Sequence, residues 1–133
     1  MYTSLPVNEA IFDFEYEGDT TGYKYEGTFK IKCVLNIADR HRLELETNQM
    51  SADLQNPSTT LTMISRVLAA LRVHILDAPT WWKESGYGAN IIDDDCLYKL
   101  FDEVLKQERL WKEKVKPKPQ PKEEKPEEKP EGN

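Results

Sequence analysis

Three kinds of side chain in this sequence have chemistry suited to catalysis or metal binding: two histidines, two cysteines and a run of three aspartates. His41 and His74 each fall among apolar or basic neighbours in stretches whose pattern predicts a helix. The sequence has no serine in a nucleophile-elbow motif and no glycine-rich loop after a strand. Histidines in this setting are typical of structural or surface residues, so we predict no catalytic residue and no enzymatic activity.

The aspartates Asp93, Asp94 and Asp95 form the one carboxylate cluster. A calcium loop needs oxygen ligands at alternating positions, a glycine for the tight turn and a distal glutamate, and this spacing is absent. The run is typical of the first turn of a helix, where negative charge complements the helix dipole. Cys33 and Cys96 have no paired Cys or His at metal-ligand spacing. They lie far apart, each in an apolar pattern, which in a cytosolic protein favours buried, reduced thiols over the alternative of a disulfide. We therefore predict no metal site and no cofactor.

The charge of the chain is unevenly distributed. The formal net charge is −6, yet the last eighteen residues contain five Lys, five Glu and five Pro, so the whole acidic excess lies on the remainder. An acidic body argues against nucleic acid and against anionic membranes as partners. The last segment has no large apolar residue with which to offset its ordering entropy. We predict a single globular α+β domain over residues 1–115 and a disordered Lys/Pro/Glu-rich tail over residues 116–133.

No feature of the sequence indicates export or membrane insertion. Residues 1–6 have neither the cationic start nor the apolar run of a signal peptide. No uncharged stretch approaches membrane-spanning length. We expect a soluble, cytoplasmic protein.

Two alternating runs near the start predict an antiparallel β-hairpin around a turn at residues 18–22. A turn centred on Asp19 and Thr20 would set Glu15 opposite Lys24. The same register would set Glu9 opposite Lys30. The predicted apolar face carries Phe12, Phe14, Tyr16, Tyr23, Tyr25, Phe29, Ile31, Cys33 and Leu35. Since a lone hairpin is marginal in water, this face must pack on helices.

Three helices are predicted after the hairpin. The first runs over residues 37–50 behind an Asn36 N-cap, with Ile37, His41 and Leu45 on one face. The second starts at a Ser58 or Thr59 cap and runs to about Leu76. Its apolar face is Leu61, Ile64, Leu68, Leu71 and Ile75. The third opens at the aspartate run and carries Leu97, Phe101, Val104, Trp111 and Val115, widened by Leu100 and Leu105. The fold class is therefore α+β, an N-terminal antiparallel β-hairpin packed on three α-helices.

Two adjacent tryptophans follow the second helix. Pro79 ends that helix, and in extended chain Trp81 and Trp82 would point to opposite sides, so at most one ring enters the same core. The other ring is a candidate for a partner surface, although both could fill the corner between the long helices. Met63 and its neighbours could likewise line a groove for a partner helix or belong to the core. The candidate partner-binding residues are Trp81, Trp82, Leu61, Met63, Leu68 and Tyr87.

The order of these elements carries a family resemblance over about residues 25–110. It runs through a strand at Gly27–Lys32, a polar helix from Ile37, a long helix with Leu68–Ile75, the sequence Ala78-Pro79-Thr80-Trp81-Trp82, and an acidic-start helix with Leu97–Val104. In this order the chain resembles the small tail assembly chaperones of long-tailed bacteriophages, or a related small phage tail protein. The most distinctive part is Ala-Pro followed by the aromatic pair.

The resemblance implies a non-enzymatic chaperone that acts in the host cytoplasm during assembly. Such a protein binds the long helical tape-measure protein, keeps it soluble and helps recruit tail-tube subunits. The alternative is a structural virion component, a head–tail or tail protein, that assembles through its N-terminal hairpin. A homo-oligomer and a longer frameshifted product both remain open.

Overall fold

The computed structural model describes residues 7–50, 52, 55–56 and 58–116. Its elements are β1 (Glu9–Glu17), β2 (Lys24–Lys32), α1 (Ile37–Met50), α2 (Thr59–His74), β3 (Ile75–Asp77), α3 (Thr80–Glu84) and α4 (Asp94–Val115). The predicted α+β class with an N-terminal hairpin is confirmed. The predicted tail lies outside the described residues from position 117 onward. None of the helices in the described part of the chain is long and apolar enough to cross a membrane.

The sheet is antiparallel with strand order β1-β2-β3, so the hairpin gains a third strand that the sequence pattern did not predict. Its inner face follows the predicted alternation, with Phe12, Phe14, Tyr25, Phe29 and Ile31 all buried. Tyr23 departs from it, because this residue precedes β2 and its side chain is 53 % exposed. The inner face packs on α2, α3 and α4, which together close the core.

The hairpin register differs from the predicted one by two residues. Glu15 lies opposite Glu26, Glu17 opposite Lys24, and Glu9 opposite Lys32. The two predicted ion pairs still form, now on the diagonal: Lys24 Nζ lies 2.7 Å from Glu15 Oε2, and Lys30 Nζ lies 3.3 Å from Glu9 Oε1. A shift of two residues keeps every side chain on its face, so the hydrophobic pattern alone does not distinguish the two registers.

The turn owes its length to a contact from far along the chain. The Gly18 amide donates to the Tyr23 carbonyl, while the amides of Thr20 and Thr21 donate to the Asp93 carboxylate at 2.7 and 3.0 Å. The Tyr25 hydroxyl donates to the same carboxylate at 2.7 Å. Asp93 is fully buried and stands at the N-cap position of α4, but its side chain binds the hairpin turn and makes no cap hydrogen bond to the helix. Asp94 and Asp95 lie in the first turn of α4, as predicted.

Hydrogen bonds and burial shift the pKa values of the side chains at this turn. The Thr21 hydroxyl, with help from Tyr25 and the turn amides and against the effect of burial, lowers the pKa of Asp93 to about 2. Burial, followed by the hydrogen bond to Asp93, raises the pKa of Tyr25 to about 12. Asp95 adds a parallel contact by accepting from the Tyr16 hydroxyl at 2.7 Å, and this bond is the main cause that raises the pKa of Tyr16 to about 12.

Helix α1 starts where predicted, but it presents a different face to the protein. Asn36 Oδ1 accepts from the Asp39 amide at 2.8 Å, and Asp39 Oδ2 accepts from the Asn36 amide at 3.1 Å, a reciprocal cap. Asp39 is buried and receives both hydrogen bonds from Lys32 Nζ, at 3.0 and 2.9 Å. The predicted face is exposed instead, with Ile37 and Leu45 at 81 % and 59 % exposure. A partly buried ion pair, rather than an apolar stripe, therefore sets the rotation of α1.

Helix α2 begins at the predicted cap, where Ser58 Oγ accepts from the Leu61 amide at 3.1 Å. It ends at His74, two residues short of the predicted end at Leu76. The next residues leave the helix and pair with β2, Ile75 opposite Ile31 and Asp77 opposite Lys30. His74 fixes this junction, because its buried ring donates from Nδ1 to the Lys32 carbonyl at 2.6 Å.

The two tryptophans lie on the short helix α3, not on extended chain as predicted. Their rings meet edge to face with centroids 6.4 Å apart, and both contact Phe29, at 5.6 Å for Trp81 and 6.5 Å for Trp82. A helical turn sends neighbouring side chains about 100° apart instead of 180°, so both rings reach one core. On α4, Leu97, Leu100 and Val104 are buried as predicted.

The last turns of α4 are less buried than the sequence pattern predicts. Trp111 is only half-buried, and its indole Nε1 donates to the Val7 carbonyl at 2.7 Å. Leu105 is 42 % exposed. The core side of α4 is therefore concentrated in its N-terminal half, with Trp111 tying the far half to the chain before β1.

Candidate protein-binding groove

The six predicted partner-binding residues do not form one surface. Trp82 is a core residue, with 3 % of its surface exposed. Trp81 is half-buried against the same core, and its indole Nε1 donates to the Glu26 carbonyl at 2.9 Å. Trp81 is therefore tied to the sheet by both ring contacts and a hydrogen bond, while part of its ring stays accessible.

Leu68 belongs to the packing around Trp82. A Cβ at Gly88 would lie 2.6 Å from Leu68 Cδ1 and 2.8 Å from Trp82 Cζ3, and Gly88 has a φ of +91°. Only a glycine fits there, because both the space and the backbone conformation exclude a side chain. The loop after α3 is thus pressed directly onto Leu68 and Trp82.

Leu61, Met63 and Tyr87 are the exposed members of the predicted set, at 41 %, 53 % and 48 %. Leu61 and Met63 lie in the first turns of α2. At a rise of 1.5 Å per residue they are about 15 Å along the helix axis from Arg72. Tyr87, by contrast, lies beside Arg72, whose guanidinium binds the Tyr87 carbonyl. The exposed residues therefore fall into two separate areas.

Tyr87 and Trp82 line a groove of about 560 Å³ that we call the β3 groove. Its walls come from α1, the end of α2, strand β3 and α3. Strand β3 ends the strand order of the sheet, so within the described residues no strand lies on its outer side. The groove is lined by Arg42, Glu46, Arg72, Ile75, Leu76, Asp77, Ala78, Pro79, Thr80, Trp82, Lys83 and Tyr87.

Arg72 holds the walls of the β3 groove together. Its Nη1 lies 3.5 Å from Glu46 Oε1 on α1, while Nε and Nη2 donate to the carbonyls of Tyr87 and Gly86 at 3.1 and 3.0 Å. Arg42 Nη2 in turn donates to the Arg72 carbonyl at 3.4 Å. One guanidinium thus fixes α1, α2 and the loop after α3, which makes the groove a preformed feature.

Exposed apolar and charged groups share the lining of the groove. Leu76 is 46 % exposed and Tyr87 48 %, and both present large apolar surface to solvent. The groove volume lies within the range of single-ligand sites, whereas a whole helix with side chains is 10–12 Å across. The groove can therefore accept a few side chains from one face of a partner segment.

The two histidines and the two cysteines do not line the β3 groove. His74 is buried on the Lys32 carbonyl, and His41 is exposed on α1. Cys33 and Cys96 are buried free thiols, as predicted, and burial raises the pKa of Cys96 to about 12. Over the ranges that the structure describes, no group of three or more His, Cys, Asp or Glu side chains is arranged to hold a metal ion.

Sequence reasoning missed most of the β3 groove because it extended α2 through Ile75 and Leu76. The available signal was the sequence Asp77-Ala78-Pro79, since a residue before proline disfavours helix and the helix must unwind upstream of it. A three-residue strand is too short to show a period of two. Arg42, Glu46 and Arg72 carried no signal as single charged residues on predicted helices.

Comparison of the chain with protein-family models, with curated proteins and with solved structures gave no match. A function must therefore be inferred from the β3 groove, the surface around it and the pattern of elements over residues 25–110. Of these, the groove is the one with defined geometry.

Proposed function

We propose that this protein is a non-enzymatic assembly chaperone that holds a segment of a partner protein in the β3 groove. The observation that carries the proposal is the groove itself: a preformed cavity of about 560 Å³ with exposed Leu76 and Tyr87 beside a sheet edge. Exposed apolar side chains in a preformed concavity are typical of protein recognition sites. Two apolar side chains spaced one helical turn apart on a partner would fit its size.

The resemblance to phage tail assembly chaperones makes a long, helical tape-measure protein the candidate partner, with tail-tube subunits recruited afterwards. Such a chain exposes extended apolar stripes before assembly and aggregates unless they are covered. An acidic chain with net charge −6 suits a solubilising role, since net charge opposes association. Under this proposal the protein acts in the host cytoplasm during assembly.

The test is capture from cells that make the whole native gene set, with mass spectrometry on the captured complex and on finished particles. The native chain should recover a very long helical protein and be missing from particles. Leu76→Ser and Tyr87→Ala should each reduce that recovery, because they remove the exposed apolar groups of the groove. Met63→Ser is the matched control, an exposed apolar residue on the distant part of α2. Loss of capture in the Met63 variant alone would move the site to α2 and contradict the groove.

A second candidate, a structural virion component, has one observation in its favour. Strand β1 is the other edge of the sheet, with nine residues available for pairing with a neighbouring subunit. A symmetric antiparallel pairing of two β1 strands would set Asp13 against Asp13 and Glu9 against Glu17, which like charges disfavour. These like charges disfavour a second copy of the chain in that register and make a different protein the candidate neighbour. Presence of the chain at fixed ratio in finished particles would favour this candidate over the chaperone.

A further inference from the structure

On the other side of α3 from the β3 groove lies a cleft of about 390 Å³ that we call the aromatic cleft. Tyr23, Tyr25 and Trp81 line it as a continuous series of rings. The centroids of Tyr23 and Tyr25 are 4.8 Å apart, and those of Tyr25 and Trp81 are 5.1 Å apart. Tyr25 is buried, Trp81 is half-buried and Tyr23 is 53 % exposed, so the rings run from the interior out to solvent.

Among the described residues that line this cleft, the one formal charge is negative. Glu84, which is exposed, is the one ionisable carboxylate that lines it, and among the described lining residues none is cationic. The buried carboxylate of Asp93 accepts a hydrogen bond from the Tyr25 hydroxyl at 2.7 Å, which places a second negative charge at the inner end of the ring series. Ile91 and Ile92 line the cleft and lead straight into the aspartate run at 93–95. The local field therefore favours a positively charged occupant.

The lining also fits the aliphatic stem of a long cationic side chain. Aromatic faces attract cations through the ring quadrupole, Trp most strongly. Ile92, 68 % exposed, offers apolar surface at the open side of the cleft for an aliphatic stem. Lysine and arginine combine such a stem with a charged head. Glu84 makes no ion pair within the described residues and is accessible to that head.

We propose that the aromatic cleft binds a lysine or arginine side chain of a partner polypeptide, with the cation between the rings and Glu84. The site is separate from the β3 groove, since the two share α3 but no lining residue. It gives the protein a second recognition point, selective for positive charge. It stands whether or not the groove binds a tape-measure protein.

The test is a nuclear magnetic resonance titration of the full chain with a blocked tripeptide that carries lysine between two glycines. The lysine peptide should shift the indole N–H of Trp81 and the amides of Ile91 and Ile92. The same peptide with norleucine, an uncharged analogue of similar length, should bind about fivefold more weakly. Binding should also weaken as salt is raised, because the carboxylate contribution is screened.

Three variants locate the charge and the ring that matter. Glu84→Gln should weaken lysine binding about threefold, and Tyr23→Leu should weaken it as well, both at exposed positions that the fold tolerates. Glu44→Gln, which removes an exposed carboxylate from α1, is the matched control and should leave binding unchanged.

Other outcomes would overturn the proposal. Equal binding of the norleucine peptide would make the cleft an apolar site without charge selection. Equal weakening by Glu44→Gln would show a general effect of net charge. Binding that becomes detectable only after deletion of residues 117–133 would assign the cleft to lysines of this chain's own C-terminal segment, not to a partner.

Discussion

Replacing Trp82 by alanine tests whether the aromatic pair is core or interface. Trp82 is 97 % buried, its ring meets Phe29 and Trp81, and its edge is pressed by the Gly88 loop. Truncation would leave a cavity bounded by the sheet, α2 and that loop. Because the surrounding backbone is held by Arg72 and by the Gly88 contact, little collapse into the cavity is expected.

The expected loss can be worked from the burial. A buried tryptophan removes about 150–250 Å² from water, which at about 25 cal/mol/Å² is about 4–6 kcal/mol. Measured Trp→Ala substitutions in cores cost about 3–5 kcal/mol, so we take about 4 kcal/mol for Trp82→Ala. With a urea m-value of about 2 kcal/mol/M, the unfolding midpoint should fall by about 2 M.

Trp81 gives a graded comparison. Trp81 is less completely buried than Trp82, so Trp81→Ala should cost somewhat less, about 3 kcal/mol. Trp81→Phe keeps a ring against Phe14, Tyr25 and Phe29 and removes mainly the hydrogen bond to the Glu26 carbonyl, a loss of about 1 kcal/mol. The expected order of midpoints is native, Trp81→Phe, Trp81→Ala, Trp82→Ala.

The assay is urea unfolding followed by far-ultraviolet circular dichroism, which does not depend on the tryptophans that are being removed. Partner capture is measured on the same variants under native conditions. A Trp82→Ala protein that unfolds at the native midpoint while losing its partner would refute the assignment of Trp82 to the core. A lower midpoint with normal capture would support it.

Three further predictions concern other parts of the fold. Gly22 has a φ of +72° with open space around it, so Gly22→Ala should lower the free energy of unfolding in urea by about 1–2 kcal/mol. Gly88→Ala should lower it by more, because the added Cβ would also meet Leu68 and Trp82. Equal losses in the two variants would contradict the packing argument. The pKa of Asp93 is lowered to about 2, so its contribution to stability is complete above the ordinary value near 4 and is lost as pH falls toward 2. Asp93→Asn should therefore weaken the dependence of the unfolding free energy on pH between these values. An unchanged slope would exclude Asp93 as the source of that dependence. Asp39→Ala should speed amide hydrogen exchange throughout α1, because it removes the contact with Lys32. Glu44→Ala, at an exposed position of α1, should leave the exchange rates unchanged. Equal exchange rates in the two variants would refute the docking role of Asp39.

The fold was predictable from the sequence wherever a helix or strand buries one face of regularly spaced apolar residues, and wherever a local cap starts a helix. The alternation of Phe12 and Phe14, the Asn36 and Ser58 caps and the Leu97–Val104 face of α4 all appear in the structure as predicted. Each of these signals is local, because propensity, capping and periodicity act within a few residues.

What was not predictable depends on contacts between distant residues. The turn length is set by Asp93, and the rotation of α1 by Asp39 with Lys32, and neither polar pairing leaves a hydrophobic pattern. Helix α2 ends where it does because Ile75 pairs with Ile31 on β2. Of the candidate site, only Tyr87 and Trp82 were named in advance for the groove. The aromatic cleft combines Tyr23 and Trp81, which lie in separate predicted elements.

The contact between Asp93 and the hairpin turn has a consequence for the way the chain folds. Asp93 lies 72 residues after Thr21 and 68 after Tyr25, so the turn amides gain their acceptor only when a long loop closes. A hairpin forms in about 1–10 μs, but at about 5–20 residues per second a ribosome needs several seconds to reach Asp93. During that interval the nascent hairpin has its aromatic face and its turn amides uncovered. The first strands to be synthesised thus wait for a residue made about seventy positions later, and over that interval their aromatic face is open to wrong pairing.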